Sequence, residues 1–359
     1  MTISKTDAEE KIEEKSALST FEKFLAVWVA ICMGIGLLLS QFIPNLSEAI
    51  DNLKIAGISL PIGICLFLMM YPAMLNLQGE ELKKLGKNPK PIVLTLISNW
   101  IIAPVVAFGL SKIFLNDDPQ LFTAVILLGS SPCTAMVLVW GALAEGNQEQ
   151  NVVNTSLNTI TIMILYAPIV SLFTGIQNIP IDRVELFVSV LIFIGIPLVL
   201  GIVSKKLLVE KKGSDWFNKK YRPAVGKISI VALLTTLVVL FSLNGEVLIN
   251  YPNQLILVSV PLILGFVIVV GVNLIITKYA KLEYKQAIIT VIIGSSSHFE
   301  IAIATAVTVY GVGSIAALGT TMGLFWEVPI MLGLVYFGKY LRKRGYWRHG
   351  EIKTPQKTI

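Results

Sequence analysis

Long apolar runs separated by short polar intervals dominate the chain from residue 24 to residue 338. Ten such runs fall at 24–43, 55–77, 91–114, 120–143, 152–174, 186–204, 227–244, 254–277, 286–310 and 314–338. A hydrocarbon core of about 30 Å needs about 20 helical residues, so each run is long enough to cross it. None alternates polar and apolar positions with period two, the mark of a transmembrane barrel strand. Helices are then the structure that satisfies every backbone N–H and C=O group in lipid. The pattern predicts an all-α integral membrane protein with ten transmembrane helices.

Composition agrees and removes rivals. Apolar residues make up 54% of the chain and charged residues 14%, whereas soluble domains carry about 25% charged residues. With a mean hydropathy of +0.74, a soluble enzyme and a disordered chain are both excluded. The net charge of +6 would suggest nucleic acid if the basic residues were spread over one surface. They are not. Of 29 Lys and Arg, 26 lie in residues 1–23, in the intervals 78–90, 205–227 and 278–285, and after residue 338; Lys54, Lys112 and Arg183 occupy the alternate side. Cytoplasmic loops carry the excess of Lys and Arg, so both termini are expected in the cytoplasm of a multi-pass protein of a cell membrane, the plasma or bacterial inner membrane. The charge reads as orientation and attraction to the lipid bilayer's anionic headgroups, with no nucleic-acid partner. Residues 1–23 hold four Lys and six acidic residues and read as a solvated tail, not a signal peptide. Cys32, Cys65 and Cys133 lie inside apolar runs and read as free thiols.

An internal repeat is visible. Gly129-Ser130-Ser131 lies in the middle of the fourth run and Gly294-Ser295-Ser296 in the middle of the ninth, 165 residues apart. Five spans per half is an odd number, so the second half must run upside-down. The predicted division is a tail 1–23, a first five-helix repeat 24–174, an external linker 175–185, an inverted repeat 186–338 and a basic tail 339–359. Gly costs a helix about 1 kcal/mol against Ala, serine hydroxyls compete for backbone partners, and Pro132 removes an N–H. Small residues also permit close helix packing. Interruptions at matching positions of two halves, however, point to a transporter's binding site near the midplane.

Ionisable side chains within the spans are few, and each is a functional candidate. Glu300 follows the second interruption by about a turn and is placed to bind and release a proton. Glu327 and His298 are secondary candidates, the latter as a proton relay or an interhelical hydrogen-bonding group. Cys133 follows the first interruption, near a helix N-terminus whose partial positive charge favours the thiolate, the form that binds soft metals and metalloids. Cys32 and Cys65 read as small hydrophobes. The amides of Asn99, Asn154, Asn158 and Asn273 need partners in lipid and either line a polar path or join helices.

The string Pro132-Cys133-Thr134-Ala135-Met136-Val137-Leu138-Val139-Trp140 resembles the span-four signature of the arsenical-resistance efflux permeases, part of the bile acid/arsenite/riboflavin transporter superfamily. Leu68-Met69-Met70-Tyr71-Pro72, Asn99-Trp100-Ile101-Ile102 with Pro104, and Glu327-Val328-Pro329 with Met331 agree. The resemblance implies two inverted five-helix repeats, with broken helices four and nine crossing in a core domain beside a panel domain. It also implies extrusion of arsenite or antimonite, an essential cysteine at Cys133 as As(III) ligand, and an essential glutamate at Glu300. Two departures stand out. Ser297 and His298 replace the Asn and aromatic that usually precede Phe-Glu, and Gly141 with Gly146-Asn147 replaces the usual residues after the tryptophan.

The functional expectation is an antiporter that carries arsenite outwards and protons inwards. Cys133 takes the metalloid, the hydroxyls of Ser130, Ser131, Ser296 and Ser297 hold its oxygens, and Glu300 carries the proton. The chain contains no phosphate-cradling motif, and no cofactor is expected. Two alternatives are a sodium-coupled symporter for an organic anion, as in the bile acid branch, and an intramembrane enzyme. A serine hydrolase would have to use His298, and symmetric interruptions suit alternating access better than a one-sided catalytic site.

Overall fold

The computed structural model describes residues 24–43, 54–55, 58–75, 89–243, 245, 249, 252–311 and 313–348. The tail 1–23, most of the basic interval 78–90 and the chain beyond Arg348 lie outside the described residues. The first span is α1 (Leu25–Phe42). A two-residue antiparallel ribbon, β1 (Lys54–Ile55) with β2 (Ile58–Ser59), leads into α2 (Leu60–Leu75). There follow α3 (Pro89–Phe114), α4 (Pro119–Gly129) and α5 (Met136–Leu143), and α6 (Gln148–Ile176). The second half contains α7 (Arg183–Lys212) and α8 (Ser214–Leu243), α9 (Pro252–Tyr279), α10 (Tyr284–Ser295) and α11 (Phe299–Tyr310), and α12 (Ile315–Lys343).

Among the described residues α3, α6, α7, α8, α9 and α12, each 26 to 30 residues long, are long and apolar enough to cross a membrane. The remaining four spans are α1, α2 and the two pairs α4–α5 and α10–α11. Each pair is one span broken in its middle, so the ten expected spans are present, with breaks in the fourth and the ninth.

Two layers divide the spans. In the panel, α8 packs on α1 and α2, and α7 packs on α2. In the core, α9 packs on α3, α10 and α12, while α4 packs on α3 and α12, and α6 on α5 and α10. Panel and core meet where α7 touches α6 and α11, where α2 touches α11, and where α1 and α8 touch α12. Three of the four half-helices are enclosed: Leu121 to Leu128, Ala287 to Ser295 and Phe299 to Val307 are buried without a gap, while α5 buries Val137, Trp140 and Gly141. The flanking helices instead turn large apolar side chains outwards, among them Ile101, Val105, Ile164, Val199 and Val267. That is the arrangement expected when lipid, not water, is the outer solvent.

Three boundaries differ from the sequence expectation. The second span starts at Leu60, after the β1–β2 ribbon, and not at residue 55. The interval 205–227 is helical: α7 runs to Lys212, Gly213 turns the chain at φ +84°, and α8 starts at Ser214. Lysine stems cover apolar surface while their ammonium groups reach out, so the charges here do not end the helix. Lys212 lies 4.5 Å from the Trp216 ring and Lys219 3.7 Å from Asp215. Likewise α12 continues to Lys343, into the stretch read as a tail from residue 339.

Candidate functional site

Both Gly-Ser-Ser interruptions unwind, over residues 130–135 and 296–298. The two segments cross and bind each other. Cys133 N–H donates to the carbonyl of Ser296 (3.3 Å), His298 N–H donates to that of Ser131 (2.6 Å), and Pro132 faces Ser297 across an isolated antiparallel bridge. A break in the bilayer interior frees backbone groups that cost several kcal/mol each if unsatisfied; here each break partners the other. The glycines permit the approach. A Cβ on Gly129 would lie 2.3 Å from that of Ala107, and one on Gly294 would lie 2.8 Å from Ser98 Oγ and 2.9 Å from Asn273 Nδ2. Ser98 donates to the carbonyl of Gly294 (2.7 Å) and Asn273 to Ser295 Oγ (3.0 Å).

Cys133 lies inside the unwound segment, three residues before α5 begins, and is 1% exposed. Its carbonyl accepts from Asn158 Nδ2 (3.0 Å), and Asn158 Oδ1 accepts from Asn99 Nδ2 (3.0 Å). Asn99 sits in a π-helical turn, Ser98–Ile102, that ends two residues before Pro104; a bulge of this kind re-aims a side chain and is frequent at functional sites. Trp100 beside it donates to Thr161 Oγ1 (3.1 Å). Asn154 donates to Thr95 Oγ1 (3.2 Å). The span amides thus hold helices to the break. The thiol itself lies within reach of the Ser296 hydroxyl and the Ala135 backbone, in the field of Glu327 and Glu300.

Glu327 is more central than its sequence context suggested. Its Oε1 accepts from Ser296 Oγ (2.5 Å) and from Ser297 N–H (3.1 Å), and its Oε2 accepts from Ser297 Oγ. The four candidate serines therefore differ. Ser296 and Ser297 are engaged by Glu327, Ser131 Oγ donates to the carbonyl of Leu128 (3.0 Å), and Ser130 Oγ is buried with no hydrogen-bond partner among the described residues.

On the opposite flank Glu300 occupies the first turn of α11, where a helix dipole favours an anion. Its Oε2 lies 2.8 Å from His298 Nδ1, and His298 Nε2 lies 2.8 Å from Thr134 Oγ1. Glu300 is 5% exposed, Glu327 3% and His298 1%. Among the described residues no Lys or Arg is buried. Two carboxyl groups and an imidazole thus share a low-dielectric site with hydroxyl and N–H donors but without a fixed cation. Nor does any described group of three or more His, Cys, Asp and Glu side chains form a metal cage.

A small cleft of about 70 Å³ adjoins the crossing. Its walls come from α3, α4, α9 and α12, and its floor includes Asn99, Ser131, Pro132, Ser296 and Ser297. Cys133, His298 and Glu300 are not among the residues that line it. Thr134 and Ser98 were not legible as site residues: nothing in a lone hydroxyl residue announces a partner 164 or 196 positions away.

The sequence matches the sodium bile acid symporter family over residues 63–251. An uncharacterized transporter of Synechocystis sp. is 37% identical over 355 residues, covering 94% of this chain and 92% of that protein. An arsenical-resistance protein of Alkaliphilus metalliredigens is 34% identical over 91% of this chain and 94% of its own length. Another arsenical-resistance protein, from Corynebacterium glutamicum, is 29% identical over 92% of both chains. These relatives are transporters or resistance proteins, and none is named as an enzyme. Ten spans, two of them broken and crossed in a core beside a four-helix panel, together with this match, make the chain a membrane transporter that belongs to the sodium bile acid symporter family.

Proposed function

We propose that the protein extrudes arsenite, and antimonite by the same chemistry, from the cytoplasm in exchange for protons. One observation carries this reading: the thiol of Cys133 sits in the unwound strand at the crossing, in the field of two buried carboxyl groups, and among the described residues no cation is buried beside them. The relatives named for arsenical resistance support the choice of a metalloid over an organic anion.

Arsenous acid, As(OH)3, exchanges one hydroxyl for the Cys133 sulfur; the thiol proton leaves with that hydroxyl as water. A single sulfur suits a carrier, which must release its load, whereas a three-sulfur cage would retain it. Ser130, whose hydroxyl has no partner among the described residues, and Ser131 are at hand for the oxygens that stay on arsenic, while Ser296 and Ser297 serve once Glu327 yields them. Glu300 exchanges the coupling proton. One charge moving through about 100 mV supplies about 2.3 kcal/mol, close to a fiftyfold gradient, so ATP is not required. In this orientation the basic intervals and both termini face the cytoplasm.

The test is arsenite uptake into inside-out vesicles with and without an imposed pH gradient. Cys133→Ala is expected to abolish uptake at matched expression, and Glu300→Gln to remove its response to the gradient. Cys133→Ala vesicles that accumulate arsenite at the wild-type rate would overturn the thiol's role. Flux that follows sodium at fixed pH would favour organic-anion symport.

A further inference from the structure

The only hydrogen-bonded chain that joins the thiol-bearing segment to Glu300 among the described residues passes through His298. Thr134, next to Cys133, bonds Nε2 of the imidazole at 2.8 Å, and Nδ1 meets Glu300 Oε2 at 2.8 Å. Thr134 belongs to the first break and His298 to the second, so the contact bridges the two repeats. It adds a side-chain contact to the backbone bridge at Pro132 and Ser297, to which His298 also contributes its N–H.

We propose that His298 is a positioning residue that holds the Glu300 carboxyl group and transmits to it the position of the Cys133 segment. The inference rests on reading Glu300 as the coupling carboxyl group. When Glu300 is a carboxylate, Nδ1 carries the proton and donates to it, and the bare Nε2 accepts from the Thr134 hydroxyl. A proton that reaches Nε2 while the Nδ1 proton passes to Glu300 leaves a neutral acid and a neutral imidazole of the opposite tautomer. Thr134 then accepts where it had donated. Either state has a complete set of hydrogen bonds only while Thr134 stays in place. Displacement of the Cys133 segment by a bound metalloid breaks the Nε2 contact and changes what Glu300 can hold.

Other titratable groups buried on the elements packed around His298 are Cys133, Glu327, Tyr166 and, at the far end of α10, Tyr284, whose hydroxyl donates to the carbonyl of Ala144. Lysines of these elements, such as Lys90, Lys112 and Lys285, are exposed and lie near helix ends. At the rim of the core, the Lys339 and Arg342 side chains that bind Glu145 hold its carboxyl below the usual value of 4.5. That pair keeps its full contribution above about pH 4.5 and loses it only as pH falls through the lowered value, so it does not titrate between pH 5.5 and 8.5.

The experiment measures arsenite–proton exchange in proteoliposomes across that pH range. His298→Gln retains an amide at hydrogen-bonding distance but cannot switch tautomer. Its pH midpoint is expected to move by about tenfold in proton concentration, one hydrogen bond to a charged group. Thr134→Val, which leaves the imidazole in place, is expected to move it in the same sense by about threefold. Infrared difference spectra of the purified protein without arsenite provide a readout apart from transport. The carboxyl stretch lost in Glu300→Gln is expected to shift in both variants. An unchanged midpoint and an unchanged band in both would overturn the role of His298 while leaving Glu300 as coupling group. A wild-type midpoint in Glu300→Gln would overturn the coupling reading and this inference together. A flat pH profile in His298→Gln with a normal one in Glu300→Gln would make the imidazole itself the coupling group and overturn its positioning role.

Discussion

A carboxyl group buried without a cation is costly unless its oxygens find hydrogen-bond partners, and those of Glu327 do. It collects two hydroxyls and a backbone N–H from Ser296 and Ser297, and in doing so clamps the second break from α12. Removing such an acceptor leaves buried donors unsatisfied, at about 1–3 kcal/mol each. Glu327→Ala is therefore expected to lower thermal stability in detergent by about 3 kcal/mol or more. Glu327→Gln, which keeps an oxygen acceptor, is expected to lose about half as much, and equal melting points for the two variants would contradict the clamp. Cys133 and Glu300 stood out as candidates because each lies beside a break in the linear chain, and the family resemblance pointed to the same two positions. It ranked Glu327 lower because 31 residues separate it from Ser296 and only tertiary packing brings them together. His298 was visible as a chemical outlier, but its partner Thr134 was not.

At the level of elements, the broken helices exist because glycine and serine weaken them where neighbouring helices supply substitute partners. Gly294 has no room for a side chain between Ser98 on α3 and Asn273 on α9. Gly294→Ala must push one of these polar groups from its hydrogen bond, at about 1–3 kcal/mol for overpacking. The expected result is a lower melting temperature and reduced transport. Gly333, with open space around its Cβ position, is the control: Gly333→Ala should match or exceed wild-type stability, since alanine is the better helix former. The break positions were legible from composition, whereas the helix ends at 205–227 were not. Charge density there suggested a loop, but α7 and α8 extend to Gly213 because lysine side chains reach out without unwinding the backbone.

For the whole molecule, the panel and the core meet along limited lines of contact while the two breaks are enclosed in the core. A core that shifts against the panel would carry the crossing as one body, which suits alternating access. The basic residues predict the orientation that this requires. In a background with Cys32 and Cys65 replaced by alanine, Ser214→Cys is expected to react with an impermeant thiol reagent only from the cytoplasmic side. Asp182→Cys is expected to react only from outside. The reverse labelling pattern would invert the topology and the direction of transport.

Span number, the inverted halves, the two interruptions and the residue chemistry next to them were all readable before any fold was known. Membrane burial, helix breaking and charge asymmetry are local properties of the chain, and local patterns carry them. The hydrogen-bond network was decided in three dimensions. Which serine meets Glu327, that Asn158 and not another amide holds the Cys133 carbonyl, and that an imidazole links Thr134 to Glu300 all depend on helices distant in sequence packing within 3 Å. A pairing of that kind is set by the shape of the packed core, and no local pattern of residue types encodes it.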